Sequence, residues 1–170
     1  MAKSKGKAAV QDDVRLYTLR VSLLYGRSLS EKFVRENPVV SRTIQIRGDQ
    51  TLEDLHHAIH DAFDRKEDQK YEFQFGEGPM DPDNLRYVLP AVFESRKMRA
   101  NPPAGRVDWT SIGSLYLEVD RSFGYRFDLD ANWWHAINVE AVEDEIPRGK
   151  FPKMTKRVGK SPPQYAEEDE

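Results

Sequence analysis

Apolar and polar residues alternate along two stretches near the start of the chain. The apolar positions of the first stretch are Tyr17, Leu19, Val21 and Leu23. The same period of two returns over residues 40–46, after a connection that contains glycine and serine. A period of two is typical of a strand that buries one face. We therefore predict two strands that pair in antiparallel orientation.

A helix is predicted over residues 52–63. Thr51 can cap its first turn, and Asp54 lies three residues later, where a carboxylate can reach back to the cap. Apolar residues recur at helical spacing and fall on one face; they are Leu52, Leu55, Ile59, Ala62 and Phe63. A third alternating stretch follows at 71–75. The resulting order β-β-α-β resembles the start of a β-grasp fold.

A β-hairpin is predicted closer to the C-terminus. Apolar residues alternate over 123–129 and again over 133–141, with turn-forming residues at 130–132. If both apolar sets lie on one face, specific cross-strand pairs follow. These pairs are Leu129 with Trp133, Phe127 with His135, and Tyr125 with Ile137. Asp128 and Trp134 would then share the opposite face.

The segment between the third strand and the hairpin is less regular. Residues 84–106 follow no clean period, so the sequence predicts no structure for them. A helical turn capped by Asp108 or Thr110 is expected to reach Leu115, followed by a short strand at 117–119. Taken with the other elements, this predicts a single α+β domain with one mixed or antiparallel sheet.

The two ends of the chain differ in composition from its middle. Residues 1–13 hold one large apolar residue, Val10, so we expect a disordered tail. Residues 14–147 would form the folded domain. Residues 148–170 are basic as far as Lys160 and end in an acidic run, which favours an extended C-terminal segment.

Composition and charge narrow the class of protein. None of the 170 residues is cysteine, which excludes disulfides, thiol nucleophiles and cysteine-based zinc motifs. No apolar run approaches the roughly 20 residues of a membrane span, and the N-terminus lacks an apolar signal core. We therefore expect a cytoplasmic protein with no membrane partner. The net charge of −3 disfavours nucleic acid as a partner, although the basic stretch 148–160 keeps it as a weaker alternative.

Histidine spacing raises the question of a metal site. His56 and His60 are four residues apart, a spacing at which two imidazoles on one helix can hold a metal. The intervening residues lack the glutamate of the zinc protease pattern, and both histidines flank the apolar stripe while His57 points to solvent. A partly exposed pair is the simpler interpretation. A metal site would need a third ligand, for which His135 or Asp128 is the candidate.

The hairpin carries the other candidate chemistry. His135 and Asp128 could act as a base and its orienting carboxylate, but the predicted hairpin places them on opposite faces. Trp133 and Trp134 also point to opposite faces. One should pack in the core, and the other either binds a base, peptide or protein or packs beneath another segment. Nucleophilic serine elbows and phosphate loops are missing, so we assign no catalytic residue and no cofactor.

Several separated stretches resemble one known family. Residues 38–73, residues 123–140 (FGYRFDLDANWWHAINVE) and residues 158–165 (VGKSPPQY) are similar in order and spacing to the plasmid pRiA4b ORF-3-like family, which is also met as passenger proteins of insertion elements. The resemblance implies an α+β domain in a family whose biochemical activity is largely undefined.

The family signature near the hairpin reads tyrosine, aspartate, phenylalanine, glycine, aspartate, any residue, tryptophan, any residue, histidine. Over residues 127–135 this chain keeps three of its residues, Asp128, Trp133 and His135. It has Asp130 in place of the glycine and Ala131 in place of the second aspartate. Between the helix and the next strand, where the family tends to have tryptophan and histidine, this chain has Arg65 and Gln69.

We expect a small binding or accessory protein without catalytic activity, whose partner is a protein or a small molecule. A link to plasmid or mobile-element biology is implied by the resemblance alone. The candidate ligand-binding residues are Asp128, Trp133, Trp134 and His135, and the candidate metal ligands are His56, His60 and His135. One alternative is a metal-dependent, hydrolase-type enzyme that uses His135, Asp128 and the pair His56 and His60. The other is a DNA-binding accessory protein.

Overall fold

Eight strands form one sheet in a computed structural model that describes residues 14–78, 81, 83–95 and 102–165. The strands are β1 (Leu16–Tyr25), β2 (Ser41–Arg47), β3 (Tyr71–Phe75), β4 (Leu85–Val88), β5 (Gly105–Arg106), β6 (Ser122–Phe127), β7 (Trp133–Glu143) and β8 (Lys153–Val158). Their order across the sheet is β5-β4-β3-β6-β7-β1-β2-β8. Only the β4–β5 pair is parallel, so the fold is one domain with a mixed, mostly antiparallel sheet.

The helices in the described ranges are α1 (Glu31–Glu36), α2 (Leu52–Ala62) and α3 (Pro90–Glu94), with a 3-10 turn at Gly113–Leu115. The predicted capping box of α2 is confirmed, because Thr51 and Asp54 exchange hydrogen bonds between side chain and backbone. Its apolar face is buried against the sheet. None of these helices has the length and apolar composition that crossing a membrane requires.

The pairing of β1 with β2 confirms the first prediction, with Leu19 opposite Ile44. Strand β3 is also where alternation places it. The predicted order β-β-α-β is interrupted by α1, which lies between β1 and β2, and the pairing is not that of a β-grasp. The second neighbour of β1 is β7, whereas β3 pairs with β4 and β6. The predicted short strand at 117–119 is wrong, because these residues are irregular and Val119 is exposed.

The hairpin of β6 and β7 forms, but the predicted register is wrong by two residues. Phe127 lies opposite Trp133, Tyr125 opposite His135, and Phe123 opposite Ile137. The connection spans residues 128–132 instead of 130–132, and it contains left-handed backbone at Asp128 (φ 58°) and Asn132 (φ 57°). Because the shift is two residues, the predicted core face is kept. Asp128 leaves the strand, so it does not share a face with Trp134.

The C-terminal segment adds the edge strand β8 beside β2. Arg42 on β2 is buried and connects β8 to the end of α2. Its Nε donates to the carbonyl of Ala62 (2.8 Å), its Nη1 to the carbonyl of Val158 (2.8 Å), and its Nη2 to Oγ of Ser161 (2.9 Å). The predicted disordered tail 1–13 and the acidic end 166–170 lie outside the described residues.

Candidate functional site

Tyr125, in the middle of the sheet, connects two buried histidines. Its phenol oxygen lies 2.6 Å from Nδ1 of His56 on α2. Its carbonyl oxygen lies 3.1 Å from Nδ1 of His135 on β7. The side chains of Tyr125 and His135 both point toward α2 because they occupy the core face of the hairpin, as strand alternation predicts. This group is a polar cluster within a mainly apolar core.

His135 is held as a neutral imidazole by its two partners. Nη2 of Arg65 donates to Nε2 of His135 across 2.7 Å. Because Nε2 accepts, the ring proton resides on Nδ1, which donates to the carbonyl of Tyr125. Burial, and then the charge of Arg65, hold the pKa of His135 well below its usual range. With both nitrogens engaged, His135 offers no free lone pair to a metal or a substrate.

Arg65 lies buried just after the end of α2. Its guanidinium stands 4.9 Å from the ring centre of Phe63, 4.8 Å from that of Phe127 and 5.5 Å from that of Trp133. These aromatic faces stabilise the cation in place of water. Burial lowers the pKa of Arg65 to about 10, whereas the carboxylate of Asp128 opposes that shift. Nη1 is buried and has no hydrogen-bond partner among the described residues.

His56 is fully buried, so its predicted place at a partly exposed boundary is wrong. Its ring stacks on Tyr71 with 3.6 Å between centroids, and its Nε2 lies 2.8 Å from Oδ1 of Asp68. Burial lowers the pKa of His56 to about 4, although Asp68 opposes the shift. Asp68, His56 and Tyr125 thus form a chain of hydrogen bonds. It ends at a phenol buried in the core, where no substrate can reach it.

The candidate metal ligands are not brought together as a set. His60 is only partly exposed, and its Nε2 lies 3.1 Å from the carbonyl of Glu67. Among the described residues, one group of three possible metal ligands is present, and it consists of His56, His57 and Asp68. One ligand atom from each of these residues lies within 4.8 Å of the other two. Neither His60 nor His135 belongs to that group.

A surface cavity of about 320 Å³ lies beside the β6–β7 turn. Its lining residues are Arg27, Ser28, Gln69, Asp128, Asp130, Ala131 and Tyr165. Oδ1 of Asp128 accepts from the backbone N–H groups of Asp130 (3.2 Å) and Ala131 (3.3 Å), which fixes this carboxylate in the wall. Oγ of Ser28 is buried and has no partner among the described residues.

The two tryptophans lie on opposite faces, and both are buried. Trp133 packs in the core, and its Nε1 donates to the carbonyl of Gln164 in the C-terminal segment (3.2 Å). Trp134 lies on the other face, where the guanidinium of Arg126 stands 5.3 Å from its ring centre. Neither presents the exposed aromatic surface that a base or a peptide would need.

Positions at which the family pattern is kept or changed in this chain meet in space. Gln69, Asp128 and Ala131 line the cavity, whereas Arg65 and His135 contact each other in the core. Arg65 lies over Phe127, the residue before Asp128, so the two groups adjoin. No pattern in the sequence indicated Arg27, Ser28 and Tyr165 as cavity residues. They come from a loop and from the C-terminal segment, where no periodic pattern could have found them.

The fold and the site define a small mixed-sheet protein with a buried arginine–histidine pair beside a polar surface cavity. Residues 28–167 match the family model described as Plasmid pRiA4b ORF-3-like protein, and the chain belongs to this family. The fold is also similar to that of the protein of unknown function MM3350 from Methanosarcina mazei Go1. The two share 18% identity at a TM-score of 0.64, over 89% of this chain and 74% of that one. At this identity the similarity shows a shared fold alone. Comparison with curated proteins gives no match.

Proposed function

We propose that the protein is a binding module that holds a small polar molecule in the cavity beside the β6–β7 turn. The observation that carries this proposal is the convergence of charged and polar side chains on one concave wall, since Arg27, Gln69, Asp128 and Asp130 all line the same cavity. A pocket with a few convergent polar groups is the usual form of a small-molecule site. The cavity volume suits a small metabolite better than a polymer.

The charges of the wall indicate the chemistry of the ligand. Arg27 offers a cation, whereas Asp128 and Asp130 offer carboxylates on the turn. Tyr165 and Gln69 add a hydroxyl and an amide, which are joined by a 3.0 Å hydrogen bond. Such a wall suits a ligand that both donates and accepts hydrogen bonds, as a zwitterion does. Glycine, other free amino acids and short peptides are therefore the first compounds to test.

The alternative functions receive less support. A hydrolase that uses His135 would need a free ring nitrogen there, and both nitrogens are engaged. DNA binding through the basic stretch could use exposed cations such as Lys153 and Lys156, but the chain as a whole carries a net charge of −3, which opposes the approach of phosphates. A role in plasmid or mobile-element biology is supported by the family's description alone.

The test is a titration followed by amide NMR shifts and thermal melting, with amino acids, dipeptides, inorganic phosphate and glucose as ligands. Arg27→Gln should abolish the shifts that a zwitterionic compound causes at residues 128–131. Arg20→Gln is the matched control, because Arg20 is also an exposed arginine but pairs with Glu140 away from the cavity. The proposal is wrong if no compound perturbs residues 128–131, or if both arginine variants respond alike.

A further inference from the structure

We infer that His56, His57 and Asp68 form a binding site for a divalent transition-metal ion at the surface of α2. One possible ligand atom from each residue lies within 4.8 Å of the other two. The rings of the two histidines are 5.1 Å apart between centroids. This site does not depend on the proposed ligand cavity, although Asp68 directly precedes the cavity residue Gln69.

The buried member of the group is already oriented as a metal ligand. The Tyr125 phenol holds Nδ1 of His56, and Tyr71 stacks on the face of the same ring. Together they direct Nε2 outward to Asp68, whose side chain is 57% exposed. Histidines that bind metals almost always use their second ring nitrogen in this way, because that hydrogen bond fixes both tautomer and orientation.

His56 can bind a metal by moving its single ring proton from one nitrogen to the other, so the net charge of the ring does not change. A neutral imidazole carries one ring proton, and in the present arrangement Nε2–H can donate to Asp68. If that proton resides on Nδ1 instead, the ring donates to the phenol oxygen of Tyr125, and Nε2 offers a lone pair. Oδ1 of Asp68, released from the histidine, then becomes the second ligand.

The exposed residues of the group, His57 and Asp68, have side chains that can move to complete the coordination of the ion. His57 lies on the solvent face of α2, so its ring can rotate toward the ion without disturbing the core. Two imidazole nitrogens and one carboxylate oxygen suit zinc and neighbouring transition ions, whereas calcium and magnesium prefer oxygen ligands alone. Three protein ligands leave a position open to water.

The experiment measures zinc and cobalt binding by the untagged full-length chain. Calorimetry should give one zinc ion per chain, and cobalt should produce visible absorption bands. His57→Ala and Asp68→Asn should each weaken zinc binding at least about tenfold, a loss of about 1.4 kcal/mol. Both residues are exposed, so these variants should fold, and circular dichroism checks this.

His60→Ala is the matched control, because His60 shares the helix but not the group. Its zinc affinity should equal that of the unmodified chain. The inference is overturned if the chain binds neither ion at one per molecule, or if His57→Ala binds as tightly as the unmodified chain. It is equally overturned if His60→Ala loses as much affinity as His57→Ala, since that would place the ion between His56 and His60.

Discussion

Nη2 of Arg65 donates a hydrogen bond to Nε2 of His135 across 2.7 Å, and both side chains are buried. An arginine stays protonated, so the histidine can only be its neutral acceptor. The bond joins the segment after α2 to the beginning of β7. It therefore fixes the position of the chain between the helix and β3 against the middle of the sheet.

Replacing His135 should destabilise the fold strongly. His135→Ala leaves a cavity and removes partners from the Arg65 guanidinium and the Tyr125 carbonyl. We expect a loss of about 2 to 4 kcal/mol of unfolding free energy, measured by urea denaturation. His57→Ala, on the exposed face of α2, is the control and should lose less than about 0.5 kcal/mol. Equal losses in the two variants would contradict a structural role for His135.

Stability should fall as the pH drops below about 6.5. The folded chain resists protonation of His56 down to about pH 4, because burial lowers its pKa from the usual 6.5. The pKa of His135 is lowered in the same direction. The unfolded chain binds those protons near pH 6.5, so it is favoured as the pH falls, by up to about 1.4 kcal/mol per pH unit for each group.

Urea denaturation between about pH 7.5 and about pH 4.5 measures this dependence. His56→Gln should make the slope shallower, since one of the two depressed groups is gone. A stability that does not change between about pH 6.5 and about pH 5 would show that the buried histidines are protonated as easily in the folded chain as in the unfolded one.

Gly26 should not tolerate a side chain. A Cβ atom at this position would overlap the Trp133 ring, which is itself fixed by core packing. Gly26→Ala should therefore cost about 1 to 3 kcal/mol in chemical denaturation. Gly78→Ala is the control, because a Cβ there meets no atom within 4 Å. If both alanine variants unfold at the same urea concentration, Trp133 can move aside.

Shortening the C-terminus should reduce stability in two steps. Ending the chain after Gly159 removes the Ser161 hydroxyl that Arg42 binds and the Gln164 carbonyl that Trp133 binds. Ending it after Pro152 also removes β8 and a second acceptor of Arg42. We expect a lower melting temperature at each step, by about 2 to 4 °C for each kcal/mol lost.

Deleting residues 1–13 is the control for these truncations. That segment contributes one large apolar residue, so its removal should leave the melting temperature nearly unchanged. The same melting temperature in all three shortened chains would show that the C-terminal segment contributes nothing to the fold.

Local patterns predicted the elements of the fold better than their pairing. Alternation located β1, β2 and β3, and the Thr51 cap located the start of α2. The hairpin register was missed because a period of two fixes the face but not the partner. The left-handed residues Asp128 and Asn132 lengthen the turn and set the register. Strand β8 was missed because its exposed residues show no apolar alternation.

The candidate site was predictable only in part. Alternation placed His135 on the core face, and the structure puts it there. His56 was expected at the boundary because a helical wheel cannot show that Tyr71 and Tyr125, from distant strands, cover one side of α2. Arg65 stood out only as a departure from the family signature. No local rule predicts a buried cation after a helix, since its aromatic partners come from other elements.

The strand β8 leaves one long edge of the sheet open to solvent. Such an edge presents unpaired N–H and C=O groups to which a strand of another molecule could add. Lys153 and Lys156 are exposed along it, so two copies that met edge to edge would bring like charges together. The basic stretch thus protects the protein against aggregation through its own sheet, and replacing its cations with threonine or valine would remove that protection.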